Sequence, residues 1–345
     1  MTRILERSRR RLSPRRGRPS LLAAAVLIPA FSPVGAAPHG EAPGRLVHTY
    51  SIVARDPETG ALGVAVQSHW FSVGSDVLWA EAGVGAVATQ SLVEVSYGPL
   101  ALELMRAGKT SEEALAGLVA ADENSDVRQV AVVDASGRAA AHTGARCIPA
   151  AGHVTGDGFS CQANLMLNDT VWPAMASAYE TAQGDLAERL MRALEAAQAE
   201  GGDLRGRQSA AILIVTGEPT GVPWADRVMD LRVEDSKEPL GELRRLIQIH
   251  RAYRHMNAGD KALEDGDTQR ALEEYGAATR LYSENPEIEY WQAVTMAGAG
   301  LLEESLPIFA RVFQRDPNWR ILTPRLKSVG FLEVDDAGLK RIMGE

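Results

Sequence analysis

Between Thr49 and Val233 the chain clusters its strands and pairs its helices, and that order restricts the fold more than any single motif. Three β-branched or Ala/Gly-rich runs come first: Thr49–Arg55, Ala61–Ser68 and Gly83–Gln90. The first two are joined by the turn Asp56-Pro57-Glu58-Thr59-Gly60. Gly83–Gln90 is small on alternate positions, which lets another layer approach that face closely. Two helices follow. Tyr97–Arg106 carries Leu100 and Leu104. Thr110-Ser111-Glu112-Glu113 reads as a capping box, with Thr110 as N-cap and Glu113 at N3, and opens a helix with Leu115, Leu118 and Val119 on one face. Strands return at Arg128–Val133 and Arg138–His142, a hairpin turning at Asp134-Ala135-Ser136-Gly137, and again from Val154 to Ala163. Val171–Thr181 and Asp185–Glu200 form a second helical pair, and strands Ser209–Val215 and Val228–Val233 close the series. A parallel α/β sheet would alternate single strands with single helices. This order predicts an α+β fold in which two sheets lie between two helical layers, a four-layer αββα sandwich.

From Pro239 to Glu345 the pattern is helical and repetitive. Gly266, Ala271, Tyr275 and Ala278 recur as Gly300, Ser305, Phe309 and Val312, all four pairs at one common offset. That offset matches the tetratricopeptide period of about 34 residues. Gly259 stands where the repeat puts its first small residue and Pro317 where it puts its closing proline. Two units are fewer than the three usually needed for independent stability. The all-α region, 239–345, is therefore expected to pack on the first domain or on a helix at Gly241–Arg254.

The opening residues belong to neither part. Eight arginines precede the apolar run Leu21–Phe31, which is too short to span a bilayer, and small residues follow at Gly35-Ala36-Ala37. This is the layout of a secretory signal peptide over 1–37, followed by a Pro/Gly-rich linker over 38–47. Removal of residues 1–36 takes away eight Arg and one Glu, leaving 28 basic and 44 acidic residues and a net charge of −16 in place of −9. A chain this acidic does not suit nucleic acid, and no other stretch is apolar and long enough to cross a membrane. The expectation is an exported protein, periplasmic or secreted, without a stable membrane span after signal cleavage. Cys147 and Cys161 are too few for a disulfide framework and match no zinc spacing; a bridge between them is left open. No metal or other cofactor is expected.

Several segments in order carry a resemblance: Thr49-Tyr50-Ser51-Ile52-Val53-Ala54-Arg55-Asp56, Leu62-Gly63-Val64-Ala65-Val66, Gly83–Gln90, Ser96-Tyr97-Gly98-Pro99, Gly152-His153-Val154-Thr155-Gly156-Asp157-Gly158 and Gly206-Arg207-Gln208-Ser209-Ala210-Ala211. Over about 49–216 the chain resembles the N-terminal-nucleophile (Ntn) hydrolase-like proteins of the domain-of-unknown-function 1028 family. The resemblance implies an Ntn αββα domain over 48–235 and brings no substrate. In the wider superfamily a Thr, Ser or Cys at the start of the first strand is the nucleophile and its own α-amine the base, and the chemistry is amide hydrolysis or acyl transfer. Thr49 is the residue here that fits that place. A cut at Ala36 or Ala37 leaves about a dozen residues ahead of it, so freeing it needs a second cut between His48 and Thr49. No Lys lies between Thr49 and Thr89, so a proteasome-like charge relay is not carried over.

The other candidates come from residue type and position. His69 suits proton transfer near neutrality. Asp157, in a Gly-Asp-Gly turn, is a candidate for orienting an amine or base, and Asn164 for donating to an oxyanion. Gln90 and Ser91 at the end of a strand are candidates for amide recognition, Arg207 and Gln208 for a carboxylate end, and Tyr97, Glu94 and His153 for the substrate rim. The leading expectation is a hydrolase of a small amide with Thr49 as nucleophile. The competing one is a non-catalytic module that binds a small ligand or cell-wall fragment, its helical tail recruiting a protein partner. Homo-oligomer formation through sheet edges or helix faces is left open.

Overall fold

The computed structural model describes residues 45–345; the expected signal peptide and the linker up to residue 44 lie outside them. Elements follow in the order β1 (Arg45–Val47), β2 (Thr49–Arg55), β3 (Leu62–Ser68), α1 (Gly74–Val77), β4 (Leu78–Glu81), β5 (Gly85–Val93), α2 (Tyr97–Arg106), α3 (Ser111–Ala121), β6 (Arg128–Asp134), β7 (Ala139–Thr143), β8 (Gly152–Gly156) and β9 (Phe159–Ala163). Then come α4 (Val171–Thr181), α5 (Leu186–Ala199), β10 (Ser209–Val215) and β11 (Arg227–Val233). The capping box forms: Thr110 Oγ1 accepts from Glu113 N at 3.2 Å and Glu113 Oε2 from Thr110 N at 3.1 Å.

The strands make two antiparallel sheets. In the first the order is β1-β5-β6-β7, and β4 shares with β1 one edge of β5; in the second it is β11-β10-β3-β2-β9-β8. Period-two alternation then sorts the side chains into layers. Val53, Val64 and Val66 of the second sheet meet Ala86, Ala88, Ala131 and Val133 of the first. The alanines of β5 are the small alternate set, and they let the sheets close on each other. Val87, Val130 and Val132 turn the other way, onto Tyr97, Leu102 and Met105 of α2 and Leu115 and Leu118 of α3. The outer face of the second sheet, with Tyr50, Ile52 and Cys161, is covered by Met175 and Tyr179 of α4 and Leu190, Met191 and Leu194 of α5. Cys147 and Cys161 are two buried free thiols.

The sequence places residues 38–47 in a linker, yet Arg45–Val47 pairs with β5, Val47 opposite Ser91. So short a run leaves no alternation to read, and only the free edge of β5 makes it a strand.

The C-terminal region is helical: α6 (Pro239–Glu264), α7 (Thr268–Leu281), α8 (Pro286–Gly298), α9 (Leu302–Arg315), α10 (Asn318–Ser328) and α11 (Asp336–Met343). Helices α7 and α9 start and stop in the same register as the repeated residues, and Ala271, Tyr275, Ala278, Ser305, Phe309 and Val312 are all buried. Gly259 makes room for its partner: a Cβ there would stand 3.0 Å from the Tyr275 ring. Pro286 starts α8, where a missing N–H costs nothing. The expected helix at 241–254 runs on to Glu264. Its first half buries Leu240, Leu243 and Ile247 against the second sheet's outer cluster, and its second half packs Ala252 and Ala262 among the later helices. None of the described helices is long and apolar enough to cross a membrane.

Gly98 tests the outer layer. A Cβ on it would lie 2.2 Å from the Trp79 indole, which is tethered by Nε1 donating to Asp76 O at 3.2 Å. Gly→Ala in an open helix is worth about 1 kcal/mol in favour of folding, but overpacking a rigid ring costs about 1–3 kcal/mol. Gly98→Ala is expected to lower the midpoint of urea denaturation despite its better helix propensity; an unchanged or higher midpoint would show that the indole yields freely.

Candidate functional site

The register of the second sheet brings four strand ends together. Thr49 faces Ser68, Ser68 faces Ser209, and Tyr50 faces Ala163. The chain reaches this end from β1, in the other sheet, so His48 is the residue at which it crosses between sheets. His48 is 2% exposed and Thr49 fully buried.

The crossing peptide is held at its carbonyl. His48 O accepts from Ser68 Oγ at 2.6 Å and from Arg205 Nη2 at 2.7 Å. The Arg205 fork is fixed by Asp203, whose two oxygens accept from Nε at 3.0 Å and Nη2 at 2.8 Å. Asp203 is itself buried, and also accepts from the backbone N–H groups of Arg205 at 2.9 Å and His69 at 3.1 Å. Charge-assisted paired bonds of this kind set direction as well as strength. Thr49 Oγ1 donates to Val47 O at 3.0 Å, so the hydroxyl is turned back over the peptide that precedes it.

Behind Thr49 the layer between the sheets changes character. Ser51, Gln90, Gln129, Gln162 and Asn164 continue the same inward alternation, and all are fully buried. Their hydrogen bonds converge on Gln129 Oε1 from two sides. Gln162 Nε2 donates to Ser51 Oγ at 2.6 Å and Ser51 Oγ to Gln90 Oε1 at 2.6 Å. Gln90 Nε2 donates to Gln129 Oε1 at 2.7 Å and to Thr49 O at 3.2 Å. Asn164 Nδ2 donates to the same Gln129 oxygen at 2.8 Å, and Asn164 N to Thr49 O at 3.1 Å. Asn164 Oδ1 accepts from His48 Nδ1 at 2.7 Å. That bond puts the imidazole proton on Nδ1, and Nε2 is left buried with no hydrogen-bond partner among the described residues. Burial, more than any neighbour, pushes the His48 pKa below its ordinary value, with Arg205 adding to the shift and Asn164 and Asp203 opposing it. Ser91, beside Gln90 and opposite Val47, takes a left-handed backbone with φ 74°. That geometry is strained for a residue with a side chain.

The sequence-derived candidates divide. Thr49, Asn164, Gln90 and Ser91 lie at this end. His69 is in the loop just beyond β3, its side chain exposed; only its backbone N–H joins the cluster. Asp157 is not here. Its turn joins β8 to β9 beside Ala54 and Arg55, at the far end of β2, because Phe159 pairs with Ala54. The whole length of β2 separates it from Thr49, about 20 Å. Tyr97 lies in the outer layer, its hydroxyl bonded to Asp122 at 3.0 Å. Arg207 is exposed and paired with Glu238 at 2.5 Å, and the Gln208 side chain reaches Asp235 at 3.1 Å, so neither side chain is directed to Thr49. Glu94 caps Ser96 locally, and His153 bonds Thr143 at the mouth of a recess of about 560 Å³ that also touches Cys147 and Trp172. Sequence reasoning missed His48, Ser68, Asp203, Arg205, Ser51, Gln129 and Gln162. Three of these carried a signal: Ser51, Gln129 and Gln162 are polar residues in the inward phase of otherwise apolar strands.

The family whose pattern matches residues 49–243 is described as a family of unknown function, DUF1028. Among solved structures, protein SPO2555 from Silicibacter pomeroyi, itself described under DUF1028, is similar. The two share 32% identity over 58% of this chain and 88% of the other, with a TM-score of 0.53. No curated protein matches.

His48 gives this end a pH dependence. Its folded pKa lies below the ordinary 6.5, so the unfolded chain takes up the proton first as pH falls. The stability contributed by the neutral ring is whole above that ordinary value and is lost as pH falls through the lowered folded one. In chain that retains His48, the urea midpoint is expected to drop more between about pH 7.5 and about pH 5.5 in the wild type than in His48→Gln. Equal slopes would remove His48 as the cause.

Proposed function

We propose that this chain, which belongs to the DUF1028 family of unknown function, is the exported precursor of an Ntn-type amide hydrolase whose nucleophile, Thr49, is released by cutting the His48–Thr49 bond. The observation that carries the reading is the grip on His48 O by Ser68 Oγ and Arg205 Nη2, at 2.6 and 2.7 Å. Two donors on one buried carbonyl are what an oxyanion needs. In the cut, Thr49 Oγ1 leaves Val47 O and adds to the His48 carbonyl carbon. The oxygen takes the negative charge against Ser68 and Arg205. The C–N bond then breaks, the hydroxyl proton ends on the Thr49 nitrogen, and an ester joins His48 to Thr49 Oγ1. Water hydrolyses that ester to a His48 carboxylate and a free Thr49 with an α-amine beside its hydroxyl. The amine is then the base for attack on a substrate amide, through an acyl-enzyme that water resolves. Gln90 and Asn164 hold Thr49 O and keep the residue in place through both stages. The family match begins at Thr49, which agrees with residues ahead of it being dispensable to the mature protein.

The matched register of α7 and α9 supports a tetratricopeptide-like reading of the tail. The competing function, a non-catalytic ligand-binding module with that tail as an interaction arm, is favoured by one observation: with β1 in place Thr49 is wholly buried.

N-terminal sequencing and intact mass of purified protein separate the two. The expected mature chain starts at Thr49 and hydrolyses members of a panel of chromogenic anilides. Thr49→Ala is expected to stay uncut and inactive with an unchanged circular dichroism spectrum. Ser68→Ala, which removes one donor from the carbonyl, is expected to slow cutting roughly 10²–10³-fold. Amide turnover by protein that starts at Ala37 or Pro38 would sink the threonine mechanism. Cutting of Thr49→Ala at the same bond would assign the cut to another protease.

A further inference from the structure

At the far end of β2 from Thr49, a cavity of about 320 Å³ opens where α6 passes the second sheet. That volume is within the range of small-molecule sites, which favour such seams between parts of a fold. Its floor is apolar: Leu186 of α5, Ile214 of β10 and Met229 of β11 are at most 5% exposed. Its rim carries charge of both signs, and what matters is how much of that charge is already committed.

Both rim carboxylates are engaged. Asp56 accepts from Thr59 Oγ1 at 2.7 Å and from Glu58 N at 3.3 Å. Asp185 caps α5 by accepting from Glu188 N at 2.9 Å and also takes Arg251 Nη2 at 2.5 Å. Arg251 is thereby spent. His250 donates Nε2–H to Val228 O at 2.9 Å, and burial lowers its pKa, with Arg254 and Arg251 adding to the shift, so at neutral pH it brings no charge. Arg254 is different. It lines the cavity, yet among the described residues it makes no hydrogen bond or ion pair, and its charge is felt at His250. An apolar floor under one uncommitted guanidinium is complementary to an apolar body ending in one anionic group.

We propose that this cavity is a binding site for a small apolar monocarboxylate, the carboxylate on Arg254 and the hydrocarbon against Leu186, Ile214 and Met229. The site is independent of Thr49 and of any cut at His48. Because its walls come from α5, the second sheet and α6, an occupied site ties the sheets to the helical region and raises the stability of both by mass action.

Isothermal titration of the full purified chain with sodium octanoate tests this, with 1-octanol, octylamine and acetate as comparators. Octanoate is expected to bind and to raise the melting temperature. Octanol and octylamine are expected to bind at least tenfold more weakly, and acetate not at all. Arg254→Ala is expected to lower octanoate affinity roughly tenfold while the melting temperature without ligand stays put, since the side chain is exposed and unpaired. Octanol binding as well as octanoate, full octanoate affinity in Arg254→Ala, or no octanoate binding at millimolar concentration would each overturn the assignment.

Discussion

The layer between the two sheets is apolar over one half and built of amide side chains over the other, and both halves come from one alternation of inward positions. Val53, Val64, Ala86 and Ala131 supply the dry half. Ser51, Gln90 and Gln129, one step or so along three of those strands, and Gln162 and Asn164 at the end of β9 supply the polar half. A buried amide left without partners costs about 1–3 kcal/mol per orphaned group, so a polar half is tolerable only if its members satisfy one another. Here they do, through two donor runs, one from Gln162 and one from His48, that meet at Gln129 Oε1, and no net charge is involved in either. The ion pair behind the carbonyl, Asp203 with Arg205, sits where the guanidinium is still partly exposed, which limits its desolvation cost. The polar half thus gives up some hydrophobic stabilisation for a fixed set of donors around one peptide bond.

That bond is fixed because the chain has to cross there. β1 belongs to the first sheet and β2 to the second, and the single residue between them, His48, spans the gap. A crossing this short exposes its carbonyl to whatever lines the strand ends, and the lining is Ser68 and Arg205. Beside it, Ser91, the partner of Val47 in the first sheet, takes a left-handed conformation. Burial and a doubly held carbonyl coincide at one peptide, with a strained residue next to it in the first sheet. None of them is needed merely to join two sheets, which a longer solvated loop would do at less cost.

How much of this was legible in sequence depends on whether the information was local. The paired helices, the Thr110 capping box and the helical repeat each reside in short windows of residue type, and each has its counterpart in an element of the structure. Placement of Thr49 at a strand start was likewise local. Asp157 was misplaced because a Gly-Asp-Gly turn says that the chain reverses but not at which end of the sheet; the β2–β9 register decides that. Arg207 drew attention through its motif, but the side chain that reaches the site is Arg205, just before it, because Asp203 beneath it aims the fork. Such an assignment needs Arg205, Asp203 and His48 to be seen together in space. β1 was hidden for a different reason: a very short run following a Pro/Gly-rich stretch has no strand signature, and a strand forms there only because half an edge of β5 is free.

The two ends of β2 are opposite solutions to burying charge and polarity. At the Thr49 end the donors on the carbonyl are committed, and the chain's own peptide occupies them; any chemistry on another molecule there requires that peptide to leave. Among the described residues that line the cavity at the other end, Asp56, Asp185, Arg251 and His250 are committed to the protein itself, and Arg254 is not. The asymmetry follows from α6. Its first half must bury Leu243 and Ile247 on the second sheet, and its second half must meet α7. The turn between those duties, at residues 250–254, lies where β10 ends and β11 begins. A helix leaving a surface cannot fill the wedge beneath it. The cavity and its unpaired cation are therefore consequences of one long helix serving two packing partners.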